Sequence, residues 1–454
     1  MVEQKVTTKT EKKGLDLFPK ILPRLCYSAH NMKARLLAHL EDDFIRHNLI
    51  FFIGSIIVAV LNYLYHPVMS RMLSVEDFGE VQVLFSILGL VGVPLGIFNI
   101  IALNLYTNNN SHESPVIKQF SLLTAYVAGI TCLLLVILAP FITSLLQLSG
   151  MIEIWIVAGI IAISSITIFG KAYLQATHRF GITSIANAIG AGGKLIASAL
   201  LVYLGLEVTG AIGGLLIATI ISFLYVKFYA KEFIAFPAFK KLTFTPELKK
   251  EIHFGFIVLC GTGLVSFLTM ADVIFAKYLF TPEEAGLYSG ISVVGRVVLF
   301  LTASITGVLL AHVKISATTA ENRKFLKKGL LLTSLIGFPA LLIFVLFPKL
   351  IVSILVGDSY ASQSDLLPLL STYIFLVNLI NVCINYSIAL RQKYVITMGI
   401  FGILSTVLLV FILPATPIGL IQSFVISSAL ILALCLYIHF KSSPTPQNHD
   451  QHNQ

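Results

Sequence analysis

Twelve apolar stretches, each about 20 residues long and separated by short polar connectors, set the architecture of this chain. They fall at about 48–70, 81–105, 118–138, 151–174, 185–205 and 211–232, then at about 252–276, 286–313, 326–348, 366–389, 393–413 and 417–440. At 1.5 Å per residue, each is long enough to cross a hydrocarbon core of about 30 Å. The runs of Leu, Ile, Val and Phe are continuous, whereas a membrane β-strand alternates over about ten residues. The pattern predicts an all-α membrane protein with about 12 transmembrane helices.

Composition agrees. Of 454 residues, 57% are apolar and 12% charged, against about 25% charged in a soluble globular chain. The five cysteines, Cys26, Cys132, Cys260, Cys383 and Cys435, are scattered and mostly apolar in setting. That arrangement is neither a disulfide framework nor a metal site.

Lys and Arg then orient the spans, because positively charged loops resist translocation. With the N-terminus cytoplasmic, 26 of the 31 basic residues fall on inner segments and only Arg71, Lys277 and Lys349 on outer loops. Lys194 and Arg296 lie inside spans. Both termini are therefore expected in the cytoplasm, with the protein in the cytoplasmic (inner) membrane. Topology and anionic headgroups account for the net charge of +9 without nucleic acid.

Five segments follow. Residues 1–47 carry charge ahead of the first apolar run, unlike a cleavable signal peptide. Within them Met32, Leu36, Leu37, Leu40 and Phe44 recur at helical spacing, which fits a helix lying on the inner membrane surface. Residues 48–232 form a first six-span lobe, 233–251 a cytoplasmic linker, 252–440 a second six-span lobe, and 441–454 a polar tail without packing potential.

An internal repeat supports the two lobes. The first span exits through Met69-Ser-Arg-Met-Leu-Ser-Val-Glu-Asp-Phe-Gly79, and the seventh through Phe275-Ala-Lys-Tyr-Leu-Phe-Thr-Pro-Glu-Glu-Ala-Gly286. With one inserted residue, a basic residue, a Leu, a hydroxyl residue, an acidic pair and a Gly align about 206 to 207 positions apart. The hydroxyl followed by acids predicts an N-capped turn into the next span, and the Gly a close approach. Six spans per half make the repeat parallel, around an axis along the membrane normal, with a cavity between the lobes.

These strings, together with Tyr173-Leu-Gln-Ala-Thr-His-Arg-Phe180 and Val356-Gly-Asp-Ser-Tyr-Ala361, resemble the polysaccharide biosynthesis exporters of the multidrug/oligosaccharidyl-lipid/polysaccharide flippase superfamily. The resemblance spans about 48 to 440. It implies a two-lobed transporter that flips a lipid-linked oligosaccharide by alternating access, without a cofactor. Membrane lipids, a polysaccharide polymerase and glycosyltransferases of the same pathway are the partners it implies.

Such a cargo has an anionic, hydrated head that hydrocarbon rejects, so the protein needs a polar, preferably cationic, cavity. Arg296 and Lys194 are the candidate substrate contacts, since a charge deep in a span normally faces protein or water. Arg296 also fits a structural ion pair. Lys194 follows Gly190, Gly192 and Gly193, so its helix also fits a close approach to a neighbour, with Lys194 satisfying carbonyls there. Asp272 and His66 occupy equivalent places in the two halves and are candidate coupling or gating groups, with Arg71 and Lys277 as gate partners. An interfacial position where water is available explains them equally well. Pro67 and Pro94 suit kinks in the first two spans. Asn378, Asn381 and Asn385 share a face of the tenth span and read as interhelical glue.

No His-Glu-x-x-His helix or nucleotide-binding Gly-Lys loop occurs, which argues against a metalloprotease or an intrinsic ATP pump. Two alternatives stay open: a cation-coupled drug or small-molecule antiporter of the same superfamily, and a membrane glycosyltransferase or polymerase. The second is disfavoured by outer loops with few acidic residues.

Overall fold

Helices account for nearly all of the structure, a computed structural model that describes residues 43–108, 115–231, 246–299 and 318–441 together with Thr302 and Val313. No strand occurs among the described residues. The predicted surface helix, most of the 233–251 linker and nearly all of the 441–454 tail lie outside them. From Ile57 onward the described residues form one compact unit, and the preceding part begins helix α1.

The first half contains α1 (Asp43–Met72), α2 (Val75–Val91), α3 (Val93–Asn108), α4 (Pro115–Leu145), α5 (Ile152–Ala176), α6 (Phe180–Leu201) and α7 (Glu207–Tyr229). The second contains α8 (Pro246–Leu279), α9 (Pro282–Gly295), α10 (Thr319–Leu346), α11 (Pro348–Leu355), a 3-10 segment (Asp358–Leu366), α12 (Leu367–Ala389), α13 (Tyr394–Ile412) and α14 (Pro417–Lys441). Eight stretches are long and apolar enough to span a bilayer by themselves. The α2/α3 pair makes a ninth, bent by 41°. The fifty-residue stretch 180–229 contributes two spans, because Gly205 at φ +85° breaks the helix and α6 and α7 pack side by side. With α1 and the stretch opened by α9, about twelve spans result, as the hydrophobic pattern predicts.

The bend between α2 and α3 sits at Gly92-Val93-Pro94. Proline supplies no amide proton and its ring crowds the preceding turn, so the helix cannot run straight through. Close approach of α6 and α7 is set by small residues: a Cβ on Gly214 would lie 2.2 Å from Ser198 N, and one on Gly193 3.3 Å from Ala218 Cβ.

Both repeat strings form the capped turns they predict. Asp77 N donates to Ser74 Oγ at 3.1 Å, and Glu284 N donates to Thr281 Oγ1 at 3.4 Å while Thr281 N donates to Glu284 Oε2 at 3.2 Å. Each cap satisfies amides that the first helical turn leaves open. The aligned glycines then meet each other. A Cβ on Gly79 would lie 2.6 Å from Gly286 Cα, and one on Gly286 2.2 Å from Val75 O. Bare backbone therefore joins α2 and α9 at this end of the two halves. Beside it Tyr360 packs on Phe78 and fills the space above Gly290.

Gly286→Val is expected to force the helices apart at a cost of about 1–3 kcal/mol, the usual range for overpacking. Thermal unfolding in detergent would show it as a lowered midpoint, while Gly263→Ala, which meets nothing within 4 Å, leaves the midpoint unchanged.

Candidate functional site

Three helical faces build a cavity inside the first half. Ser164, Thr167, Ile168 and Lys171 on α5, Asn187, Gly190, Ala191 and Lys194 on α6, and Leu215, Thr219 and Ser222 on α7 recur at three-, four- and seven-residue spacing, so each set shares one face. Val58 and Asn62 of α1, Phe85 and Leu88 of α2, and Leu95, Gly96 and Asn99 of α3 complete the wall. The volume is about 540 Å³.

Two cations enter it. Lys194 Nζ donates to Asn62 Oδ1 at 2.9 Å and lies 4.7 Å from the Tyr65 ring centre and 5.3 Å from that of Phe85. Lys171 Nζ donates to Asn187 Oδ1, also at 2.9 Å. No acidic residue is among the described residues that line the cavity. Lys194 thus meets a side-chain amide and two aromatic faces rather than the carbonyls expected from its glycine-rich surroundings. Sequence reasoning counted Lys171 with the inner-side basic residues and not among the candidate site residues. It lies on α5, which runs to Ala176, and its place on one face with Ser164, Thr167 and Ile168 was the signal that could have found it.

Arg296 and Asp272 find each other in the second half. Arg296 Nη2 donates to Asp272 Oδ1 at 2.7 Å, and Ser292 Oγ and Tyr288 OH donate to Oδ2 at 2.6 and 3.4 Å. Asp272 is fully buried and the Arg296 side chain 15% exposed. Among the described residues, the partners of Asp272 are therefore none of the gate residues that the repeat suggested, Arg71, Lys277 and His66. Arg296 also lines a smaller cavity, about 170 Å³, with His66, Gln82, Ser86 and Thr269. His66 occupies the place equivalent to Asp272, and its Nδ1 lies 3.1 Å from Gln82 Nε2. Both contacts, His66 to Gln82 and Asp272 to Tyr288, join residues sixteen positions apart.

Arg71 and Lys277 mark the Gly79–Gly286 end. Arg71 donates to the carbonyls of Ser353, Ile354 and Leu355, where α11 finishes, at 3.3, 2.7 and 3.3 Å. A cation there complements the negative end of the helix and ties α1 to the second half. Lys277 is buried and faces Glu80, Glu76 and Asp77. Two acids escaped the sequence reading. Glu80 accepts from Ser149 N at 2.9 and 3.0 Å and from Ser149 Oγ at 2.8 Å, holding the turn between α4 and α5. Glu153 accepts from Thr209 Oγ1 through Oε1 and keeps Oε2 buried without a partner among the described residues. Each stands within a turn of the boundary between loop and span, where an acid in sequence reads as surface. Of the asparagine stripe, Asn378 accepts from Thr302 of the eighth span at 2.7 Å, whereas Asn385 donates to Asn381 within α12 at 2.6 Å.

Arg296→Ala is expected to destabilise the fold by about 3–5 kcal/mol, because it leaves Asp272 charged, buried and unpaired. Asp272→Asn in the same chain should recover much of that loss, and unfolding midpoints of the two singles and the double measure it. Equal midpoints for Arg296→Ala and the double variant would contradict the ion-pair account.

The comparisons with known proteins agree with this architecture. A family model described as "Polysaccharide biosynthesis protein" matches residues 45–310, more than half of the chain. A protein of Shigella flexneri named "Putative O-antigen transporter" is 21% identical over 313 residues, which cover 65% of this chain and 72% of that protein. Among solved structures, an inward-facing multidrug resistance MATE family transporter superimposes with a TM-score of 0.62 at 13% identity, covering 84% of this chain and 94% of the other. A MOP superfamily transporter from Pyrococcus furiosus, described as having a binding pocket of reverse polarity, gives 0.57 at 16% identity over 87% and 96%. The chain is thus a multi-pass membrane protein with the fold of MOP superfamily transporters, and it belongs to the polysaccharide biosynthesis protein family.

Proposed function

We propose that this protein is a non-enzymatic flippase that carries a polyprenyl-diphosphate-linked oligosaccharide from the inner to the outer leaflet for assembly of a cell-surface polysaccharide, whether O-antigen, capsule or exopolysaccharide. The observation that carries the reading is the first-half cavity, where Lys171 and Lys194 stand among amides and hydroxyls with no acid among the described residues of the wall. A diphosphate supplies the missing negative charge, and Asn62, Asn99, Asn187, Ser164, Thr167 and Thr219 offer hydrogen bonds to sugar hydroxyls. The isoprenoid tail needs no such site, because it stays in lipid.

Alternating access follows from rocking of the 48–232 lobe against the 252–440 lobe. With both termini cytoplasmic, the Gly79–Gly286 contact lies at the outer end and holds it shut. Arg71 and Lys277 gate that end, and His66 and Asp272 line the path between the lobes with Arg296. A polymerase and glycosyltransferases of the same pathway receive and supply the cargo.

The cation-coupled antiporter is the competing reading, given the likeness to MATE folds. A cationic drug would meet two lysines in this cavity, and the carboxylate of Asp272 is already engaged by Arg296, Ser292 and Tyr288.

In proteoliposomes, purified protein should equilibrate a fluorescent lipid-linked oligosaccharide between leaflets, read with an impermeant quencher. Lys194→Gln and Lys171→Gln should each slow the initial rate about 10- to 100-fold at low cargo, the equivalent of one charged hydrogen bond. Wild-type rates in the double variant, or drug exchange on a cation gradient without movement of the lipid-linked sugar, would sink the proposal.

A further inference from the structure

Two ammonium groups share the first-half cavity, and the described residues of its wall offer no carboxylate to either. Among the described residues the ion pair is that of Arg296 with Asp272, so Lys171 and Lys194 have no acidic partner within reach. Each ammonium has three donors. One goes to an asparagine oxygen, Asn187 for Lys171 and Asn62 for Lys194, and the rings of Tyr65 and Phe85 receive part of the field of Lys194. An amide dipole and a ring face reduce the cost of a buried cation without cancelling its charge. Lys194 is 5% exposed, so bulk water does little of that work. A cavity of about 540 Å³ has room for a hydrated counter-ion.

We propose that, in the absence of cargo, this cavity holds an exchangeable anion of phosphate chemistry bound between Lys171 and Lys194. Asn187, which holds Lys171, and Lys194 lie seven residues apart, about 10 Å along one face of α6, so an anion with several oxygens reaches both cations more readily than a halide does. Ser164, Thr167 and Thr219 add hydroxyl donors around it. The anion comes either from solution, as phosphate or diphosphate, or from the headgroup of an anionic lipid. Loading of cargo is then an exchange of one phosphate group for another, and the lysines are never left bare while the lobes move. The site stands on the charge balance of the cavity and does not depend on the identity of the cargo.

Calorimetry with inorganic pyrophosphate tests it in two settings. In maltoside micelles, which carry no phosphate, the wild type should bind saturably. Lys171→Gln and Lys194→Gln should each weaken binding at least about tenfold, the loss of one charged contact, and Lys171→Arg should keep it. In nanodiscs of phosphatidylglycerol, a lowered apparent affinity identifies the headgroup as the occupant, and an unchanged one identifies the dissolved anion. Absence of saturable binding in micelles, or equal binding by the wild type and a folded Lys171→Gln/Lys194→Gln variant, overturns the proposal. The outcomes separate from those for the cargo: pyrophosphate binding without movement of lipid-linked sugar removes the flippase reading alone, and movement without pyrophosphate binding removes the anion site alone.

Discussion

A charge inside a bilayer must find an opposite charge or a wet cavity, and the arrangement of the polar side chains in this protein follows from that constraint. In the second half the solution is local. Asp272 draws Arg296, Ser292 and Tyr288 onto one carboxylate, so the acid and the base leave almost no net field between them. In the first half the two lysines meet only neutral groups, and the surplus positive charge is concentrated in one cavity. Packing around that cavity is correspondingly tight on its dry side, where Gly214 rests on Ser198 and Gly193 on Ala218.

The spans were legible because one solvent acts on all of them alike: any segment that crosses hydrocarbon must be apolar for about 20 residues, whatever its neighbours. The repeat was legible for a related reason, since helix caps are local chemistry and Ser74 with Asp77, or Thr281 with Glu284, needs no knowledge of the fold. What stayed hidden depends on rotation of each helix about its axis and on whether a charge near the end of a span turns inward. Lys171 shows the second case. It follows Gly170 near the inner end of a span, where a lysine reads as an inner-side charge, yet α5 carries it on the same face as Ser164 and Thr167 and turns it into the cavity. Asp272 shows the first, because the repeat alignment placed it opposite basic residues that lie elsewhere around the axis, while its partner sits one helix away on α9.

The two glycines that the repeat aligned turned out to touch. Side chains at Gly79 and Gly286 would hold α2 and α9 apart; without them, backbone meets backbone at this point, and buried side chains such as Phe78, Val81 and Ile291 pack along both helices beside it. Arg71 works in the same place by a different means. Its guanidinium reaches three carbonyls at the end of α11, a set of contacts that crosses from the first half to the second.

The repeat strings fold into the same capped turns in both halves, and the chemistry beside them has diverged. His66 meets Gln82 and Asp272 meets Tyr288, each sixteen residues along, but the residue inserted in the second string aligns Tyr288 with Val81, so the two contacts are not equivalent. The position 207 residues before Arg296 is Gly89, whose missing side chain leaves space occupied by Met270 of the second half. Glycine there lets α2 lie against α8. The two halves therefore differ in charge: the second pairs its cation with Asp272, and the first keeps two lysines that meet amides and rings, with no acid among the described residues of their cavity.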